Sequence, residues 1–435
     1  MPKTARATLV LSSLTLSASV SAQELVLTNA RIVDPSTRTI TDGSLWIQGG
    51  RIVARGATPP SHVNARRIDL QGKWVIPGLV DLHTHSFGSV APPRVTDAGG
   101  TQATAERVLR AGVTAFLDLF GDESYLFRLR ERQRAGEIGG AEIFAAGPCF
   151  TATRGHCSEY GVKTRLIDSP ADVKRELTDL LPKRPDVIKV VYDHLDRGPR
   201  TMPSIDKPTL IALLTGARAA GVRTVVHVGT WQDVRDAVEG GASAVTHVPN
   251  DGVVPVDVPA LMRGAGVYHI PTLVVHSDLA ELFQRPELMA SPLAVALASD
   301  TLRAVYRKGV DSLDRLVRHA VEYQRSRLSA AIESVRRLSA AGIPMLTGTD
   351  AGNWGVIQGY SVHRELIRLV EAGLTPWQAL AGSTSLAGEF LGRKFGVRPG
   401  DDANLVVLDA NPLDDIANTQ RITMVVMRGK VVFGN

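Results

Sequence analysis

The sequence predicts an α/β fold: a (β/α)8 barrel of the TIM type, joined to a small β-domain built from both ends of the chain. Three observations carry this. Short apolar runs, each followed by a helical pattern, recur eight times through the middle. Both ends instead hold β-rich runs broken by tight turns. The 435 residues are too many for one ordinary core, but they suit a barrel plus a smaller unit.

At the start, Lys3 and Arg6 precede an apolar and small-residue stretch from Ala7 to Ser19, followed by Val20-Ser21-Ala22. Charge, a short apolar run and small residues in that order describe a secretory leader. Residues 1–22 are therefore expected to be a signal peptide, cut after Ala22. The stretch is too short and too rich in Ser and Thr to span a bilayer, and no other segment is long and apolar enough. The expectation is an exported protein with no membrane anchor after leader cleavage, periplasmic if the source is Gram-negative.

The terminal domain is expected from residues 23–73 and 398–435. Near the first end the runs are Leu25–Thr28, Ala30–Val33, Ser44–Ile47 and Arg51–Ala54, with Asp42-Gly43 and Gly49-Gly50 as hairpin turns. The far end repeats the texture with Asn404–Leu408, Met424–Met427 and Val431–Phe433.

The barrel is expected over residues 74–397. Its first strand lies in Val75-Ile76-Pro77-Gly78-Leu79-Val80-Asp81-Leu82-His83-Thr84-His85. The others are Thr114–Asp118, Glu142–Ala145, Asp186–Val191, Thr224–His227, Ala244–His247, Val267–Ile270 and Pro344–Thr347. Amphipathic stretches separate them, including Thr104–Ala111, Ala171–Leu181, Thr209–Ala220, Val234–Glu239 and a long one from Thr301 to Ala340. Several end in Ala-Gly, a common helix stop. The stretch from Val275 to Asp300 is long for a βα loop, and reads either as a lid or as a surface excursion.

Composition excludes some classes. The apolar fraction is 44% and the charged fraction 21%, ordinary for a globular protein. The net charge of +5 is mild, and no dense Lys/Arg block with interleaved aromatics occurs, so nucleic acid is not an expected partner. Cys149 and Cys157 can pair in an oxidising compartment or stay as two thiols. No Gly-x-Ser-x-Gly elbow follows a barrel strand, which disfavours a serine hydrolase.

The chemistry lies at the strand ends, because barrel enzymes work at the C-terminal ends of their strands. His83 and His85 end strand one, two apart, so both imidazoles face one side. Strand four carries Lys189, strand five ends in His227, strand six in His247, and Asp350 follows strand eight. Each alone has an ordinary explanation: a buried histidine satisfied by a carbonyl, or an aspartate capping the next helix. Six such residues in register point to a metal site. Lys189 sits in an apolar run, Val187–Val191. A buried ammonium is costly, and its pKa falls. The neutral amine can take up carbon dioxide as a carbamate, an anion able to bridge two metals. The alternative is a lysine that snorkels to the rim.

These residues resemble the amidohydrolase superfamily, closest to its imidazolonepropionase-like and prolidase-like members. The motifs are Pro77–His85, Ile188-Lys189-Val190, Val226-His227, Thr246-His247, Thr347–Ala351 and the closing Asn404–Pro412, and they cover nearly the whole chain after the leader. The resemblance implies that His83 and His85 bind the more buried of two divalent ions, and His227 and His247 the more exposed one. It implies that carboxylated Lys189 bridges both, that Asp350 completes the site, and that the terminal domain is a composite β-sandwich. The expected reaction is hydrolysis of a C–N bond by a hydroxide shared between ions about 3.5–4 Å apart. Asp350 would act as general base and then as general acid. Zinc is the default metal, with manganese or iron as alternatives.

For the small-molecule substrate, Thr153-Arg154-Gly155-His156 resembles a Gly-His segment that lines the pocket in related enzymes. His156 is expected to bond the substrate carbonyl or oxyanion, or else to stabilise its loop. Arg154 is a candidate for a substrate carboxylate, and Tyr192 and His276 are candidates by position. After Lys189 the chain reads Val-Val-Tyr-Asp-His, unlike the Gly-rich continuation of peptidase-like relatives. A linear amide such as a dipeptide or N-acyl amino acid stands first. A cyclic amide, carbamate or ester is second, and a non-catalytic binding protein last, since no ligand is missing. A homo-oligomer is compatible with all three.

Overall fold

The computed structural model describes residues 24–56, 65–92 and 95–434, so the expected leader lies outside the described residues. From the N-terminal side the strands are β1 (Leu25–Asp34), β2 (Thr39–Gln48), β3 (Arg51–Gly56), β4 (Arg66–Asp69), β5 (Trp74–Pro77), β6 (Leu79–Thr84), β7 (Gly88–Ala91), β8 (Val95–Ala98), β9 (Val113–Asp118) and β10 (Glu142–Ala145). They continue with β11 (Phe150–Thr151), β12 (Arg165–Leu166), β13 (Val187–Tyr192), β14 (Arg223–Val228), β15 (Ala244–Thr246), β16 (Tyr268–Ile270), β17 (Leu405–Leu408), β18 (Ile422–Met427) and β19 (Lys430–Phe433).

Both ends of the chain share one sheet, in the order β19-β18-β17-β5-β1-β2-β3, with β4 beside β1. Alternate residues on a strand face opposite sides, and this sheet uses both. Leu25, Leu27, Ile47, Val75, Leu405 and Val407 enclose a core of their own. Ile76, Val406 and Leu408, one step out of phase, join the large core of the rest of the molecule. The sheet curls until the β2–β3 turn meets the segment before β17, where Ala403 N–H donates to Gly50 O at 2.9 Å.

Pro77-Gly78 divides the apolar run that the sequence assigned whole to the barrel. Trp74–Pro77 pairs with β17 and β1 in the terminal sheet, so the junction falls beyond the expected 73/74 boundary. Gly78 permits a close crossing: a Cβ there would stand 2.1 Å from Thr114 Oγ1.

The middle is built from parallel strands alternating with helices. β6, β9 and β10 form one sheet, and β12-β11-β13-β14-β15-β16 form another. Single backbone hydrogen bonds join them, among them Asp186 N–H to Ala145 O at 3.0 Å. On the other side, Leu346 N–H reaches His269 O (2.8 Å) and Leu82 N–H reaches Thr347 O (2.9 Å). The eighth run, Pro344–Thr347, thus lies between β16 and β6, but forms a single isolated bridge, Met345 with His269, rather than a regular strand. Pro344 has no N–H to give.

Helices follow the expected stretches closely, as at Pro170–Leu180, Lys207–Ala219 and Trp231–Glu239. The long stretch from Thr301 splits at Gly309 (φ +71°) into Asp300–Arg307 and Arg315–Ala340, the second capped by Asp314. The segment after β16 is neither a loose lid nor a surface excursion. It is helical over Val274–Gln284 and Pro292–Leu297, and Leu279, Leu282, Phe283, Leu293 and Leu297 are buried in the main core.

Candidate metal centre

Strand parity brings the site together. On β13, Ile188 and Val190 face the outer core, whereas Lys189 lies in phase with Val187 on the inner side. On β14, Val226 and Val228 face out and His227 follows Val225 inward. His83, His85, Lys189, His227, His247 and Asp350 all line one cavity of about 470 Å³. His156 lines it too, and Phe87, Phe120, Tyr160 and Val162 form its apolar wall.

Five imidazoles form an arc. Neighbouring ring centroids lie 5.5 Å apart for His85 and His83, 4.9 Å for His83 and His247, 4.4 Å for His247 and His227, and 5.0 Å for His227 and His156. Asp350 Oδ1 stands 2.9 Å from His85 Nε2 and 3.2 Å from His83 Nε2. Lys189 Nζ is 3.3 Å from His83 Nε2 and is buried, so it does not snorkel to the rim. Donor atoms of His83, His85 and Asp350 lie within 4.8 Å of one another. His247 (φ +72°) and Asp350 (φ +61°) hold left-handed backbone that L-residues adopt at a cost.

Burial sets the electrostatics. It pushes His83 and His247 well below the ordinary histidine value, with Lys189 adding to the effect at His83 and His227 at His247. It takes His227 to about 4, although Asp193 opposes. It lowers Lys189 against the pull of Asp350. Burial is also the largest influence on His85, but the hydrogen bond to Asp350 and the charges of Asp350 and Asp118 together exceed it and raise that pKa. Neutral imidazole and neutral amine are the forms that bind a metal and take up carbon dioxide.

Residues 74–432 match the profile of the Amidohydrolase family. The chain belongs to the amidohydrolase family. It is an enzyme of the class that hydrolyses carbon–nitrogen bonds. It is 24% identical over 391 residues to an uncharacterised protein of Mycobacterium tuberculosis, covering 89% of this chain and 91% of that protein. It is 24% identical over 288 residues to an imidazolonepropionase of Streptomyces coelicolor, covering 60% of this chain and 70% of the other. A match to an adenine deaminase of Lactiplantibacillus plantarum, 36% identical over 70 residues, spans 16% of this chain and only 12% of that protein.

Among solved structures, a Xaa-Pro dipeptidase with methionine bound in its active site superposes with a TM-score of 0.76 at 20% identity, over 95% of this chain and 100% of the other. A prolidase complexed with N-methylphosphonate-L-proline gives 0.74 at 23%, with the same coverages. These likenesses imply the fold, a TIM barrel with an extra domain.

The donor set of this amidohydrolase suits the divalent metals its family binds. His83 Nδ1 is held by Thr246 Oγ1 (2.7 Å) and His247 Nδ1 by Thr272 Oγ1 (2.8 Å), leaving each Nε2 for another partner. His85 Nδ1 is buried with no partner among the described residues. Asp81 accepts the N–H of His83 (3.1 Å) and of Thr349 (3.0 Å), and burial raises its pKa to about 7. Sequence reasoning missed Thr246, Thr272, Asp81 and Asp193. For Asp193 a signal existed, since it follows Lys189 and Val191 at period two.

Three expected substrate residues lie elsewhere. Tyr192 faces out of β13, and its hydroxyl donates to Asp236 Oδ2 at 2.8 Å. His276 sits on the helix Val274–Gln284, bonded to Gln324 at 3.0 Å. Arg154 is exposed on a tight turn (φ +61°). None of the three lines the cavity. Cys149 and Cys157 are buried thiols rather than a disulfide, and Cys157 lines the cavity.

Proposed function

We propose that this amidohydrolase uses a binuclear metal centre to hydrolyse the C–N bond of a linear amide, in a dipeptide or N-acyl amino acid. The observation that carries this is the convergence of His83, His85, Lys189, His227, His247 and Asp350 on one cavity. His83 and His85 would hold the more buried ion, His227 and His247 the other. Lys189 would bridge them as its carbamate, and Asp350 would complete the set. Bound divalent ions, zinc by default for such donors, would supply an acidified water and polarise the scissile carbonyl.

The side chains do the rest. Asp350 takes the proton from the attacking water and returns it to the leaving nitrogen. His156, at the cavity wall, donates to the oxyanion. Phe87, Phe120, Tyr160 and Val162 receive an apolar side chain and shed water from it. Beyond His156 a second hollow of about 220 Å³ is lined by Arg197 and Arg200. Asp193 pairs with Arg197 at 2.8 Å, so Arg200 replaces Arg154 as the cation for a substrate carboxylate. Among linear amides we put a dipeptide first, a choice supported by the likeness in fold to a Xaa-Pro dipeptidase and a prolidase. Export, with residues 1–22 cut as a leader, is part of the same proposal.

The test is metal analysis of the purified protein, then a screen of dipeptides, N-acyl amino acids, lactams, carbamates and esters. Two ions per chain with turnover of linear amides is the expected result. Turnover confined to lactams, carbamates or esters would favour the second substrate class. A metal-loaded protein inert to every library would count against catalysis.

A further inference from the structure

We propose that Asp193, clamped by Arg197, fixes the tautomer of His227 and thereby decides which ring nitrogen is left to bind a metal. His227 Nε2 lies 3.4 Å from Asp193 Oδ2. Arg197 grips the same carboxylate with two nitrogens, at 3.2 Å to Oδ1 and 2.8 Å to Oδ2. Leu195 N–H also donates to Oδ1, at 3.0 Å. A carboxylate so paired stays ionised and can only accept hydrogen bonds. An anion favours N–H on the ring nitrogen that faces it, which assigns His227 the Nε2–H tautomer with the lone pair on Nδ1.

The backbone is shaped for this contact. Asp193 is two residues past Val191, which pairs with His227 across β13 and β14. A Cβ on Gly229 would stand 1.8 Å from Asp193 Oδ1, so the carboxylate occupies space that any larger residue would take. Asp193 itself is buried. The contact differs from those on its neighbours: His83 and His247 are held at Nδ1 by threonine hydroxyls, whereas His227 faces an anion at Nε2. An anionic partner also makes the ring a stronger electron donor. Asp193 is thus a positioning residue, acting on any ion through His227.

The metal consequence rests on the binuclear proposal above, whereas the tautomer does not, and the test separates them. In metal-free protein labelled with 15N-histidine, long-range proton–nitrogen correlation should show His227, assigned by loss in His227→Gln, as Nε2–H. Asp193→Ala should lose that preference, and Asp193→Asn, whose amide oxygen still accepts, should keep much of it. Gly229→Ala should mimic Asp193→Ala while leaving the carboxylate in the sequence. An Nδ1–H ring in the wild type, or an unchanged ring in Asp193→Ala, overturns the inference.

Zinc titration against a chelator supplies the second readout. Asp193→Ala should weaken the looser ion by about 10- to 100-fold and spare the tighter one. Equal loss at both, or at neither, also overturns it. A wild type that takes up one ion defeats the binuclear proposal, and the tautomer measurement still decides the role of Asp193.

Discussion

Thr246 Oγ1 accepts a hydrogen bond from His83 Nδ1 at 2.7 Å while donating its own hydrogen to Ile270 O at 3.2 Å. A hydroxyl has one hydrogen, and here the carbonyl takes it, so Nδ1 must be the donor. His83 Nε2 is then bare and turned toward Lys189 and Asp350. Thr246→Val should release the ring and weaken metal binding by about 10- to 100-fold, with Thr246→Ser restoring it. Zinc competition titration measures this, and equal affinity in Thr246→Val would remove the role.

Asp350→Asn keeps an oxygen beside His83 and His85 but loses the proton acceptor. Metal content should stay near the wild-type level while turnover falls by about 10²- to 10⁴-fold. Elemental analysis beside kcat decides it; comparable kcat would show that another group moves the proton.

The His156 pair gives a signed pH effect. Burial disfavours its imidazolium, but the hydrogen bond between Nδ1 and Glu159 Oε1, 2.6 Å long, raises the pKa above the ordinary value. With Nδ1–H given to Glu159, Nε2 carries a hydrogen only in the imidazolium. The oxyanion donor should therefore be lost, and kcat/KM should fall, as pH rises through that raised pKa. Glu159→Gln should move the fall to lower pH. His156→Ala should cost about 10²- to 10³-fold and abolish that limb. Superimposable pH profiles of wild type and Glu159→Gln would refute the assignment.

Glu365 predicts a stability profile. It is buried and accepts Leu273 N–H (3.0 Å) and Val274 N–H (2.9 Å) at the start of the helix Val274–Gln284. Burial raises its pKa to about 8. The folded state thus holds this proton more tightly than the unfolded chain does. The contribution of this residue to stability is greatest below the ordinary carboxylate range and declines as pH climbs from there through about 8. Glu365→Gln should flatten that part of the profile in urea midpoints measured against pH. Parallel curves would exclude the effect.

Much of the site was legible because polar residues ending apolar runs are conspicuous. His83, His85, Lys189, His227, His247 and Asp350 stand out that way, and the structure brings them to one cavity. Tyr192 follows the same apolar run, but it is one residue out of phase with Val191, so it faces the flanking helix and Asp236. His276 lies in a stretch whose length suggests a loop, but its segment is an apolar helix sealed into the core. Thr246, Thr272 and Asp193 are ordinary residue types whose meaning depends on what the neighbouring strand sets opposite them. The junction after Pro77 was invisible for a related reason. An unbroken apolar run does not say that its two halves belong to different sheets.

The pairing of β5 with β17 bears on the order of assembly. β5 runs straight into the strand bearing His83, and Gly78 N–H donates to Asn404 O at 2.8 Å. On a ribosome, the segment that aims the first two histidines can lie against β1 at once, but it gains its other neighbour, β17, only when nearly all of the polypeptide has emerged. Helices and inner strands can form early, but the strand that leads into His83 and His85 is clamped on both sides only when the tail of the chain docks against its head.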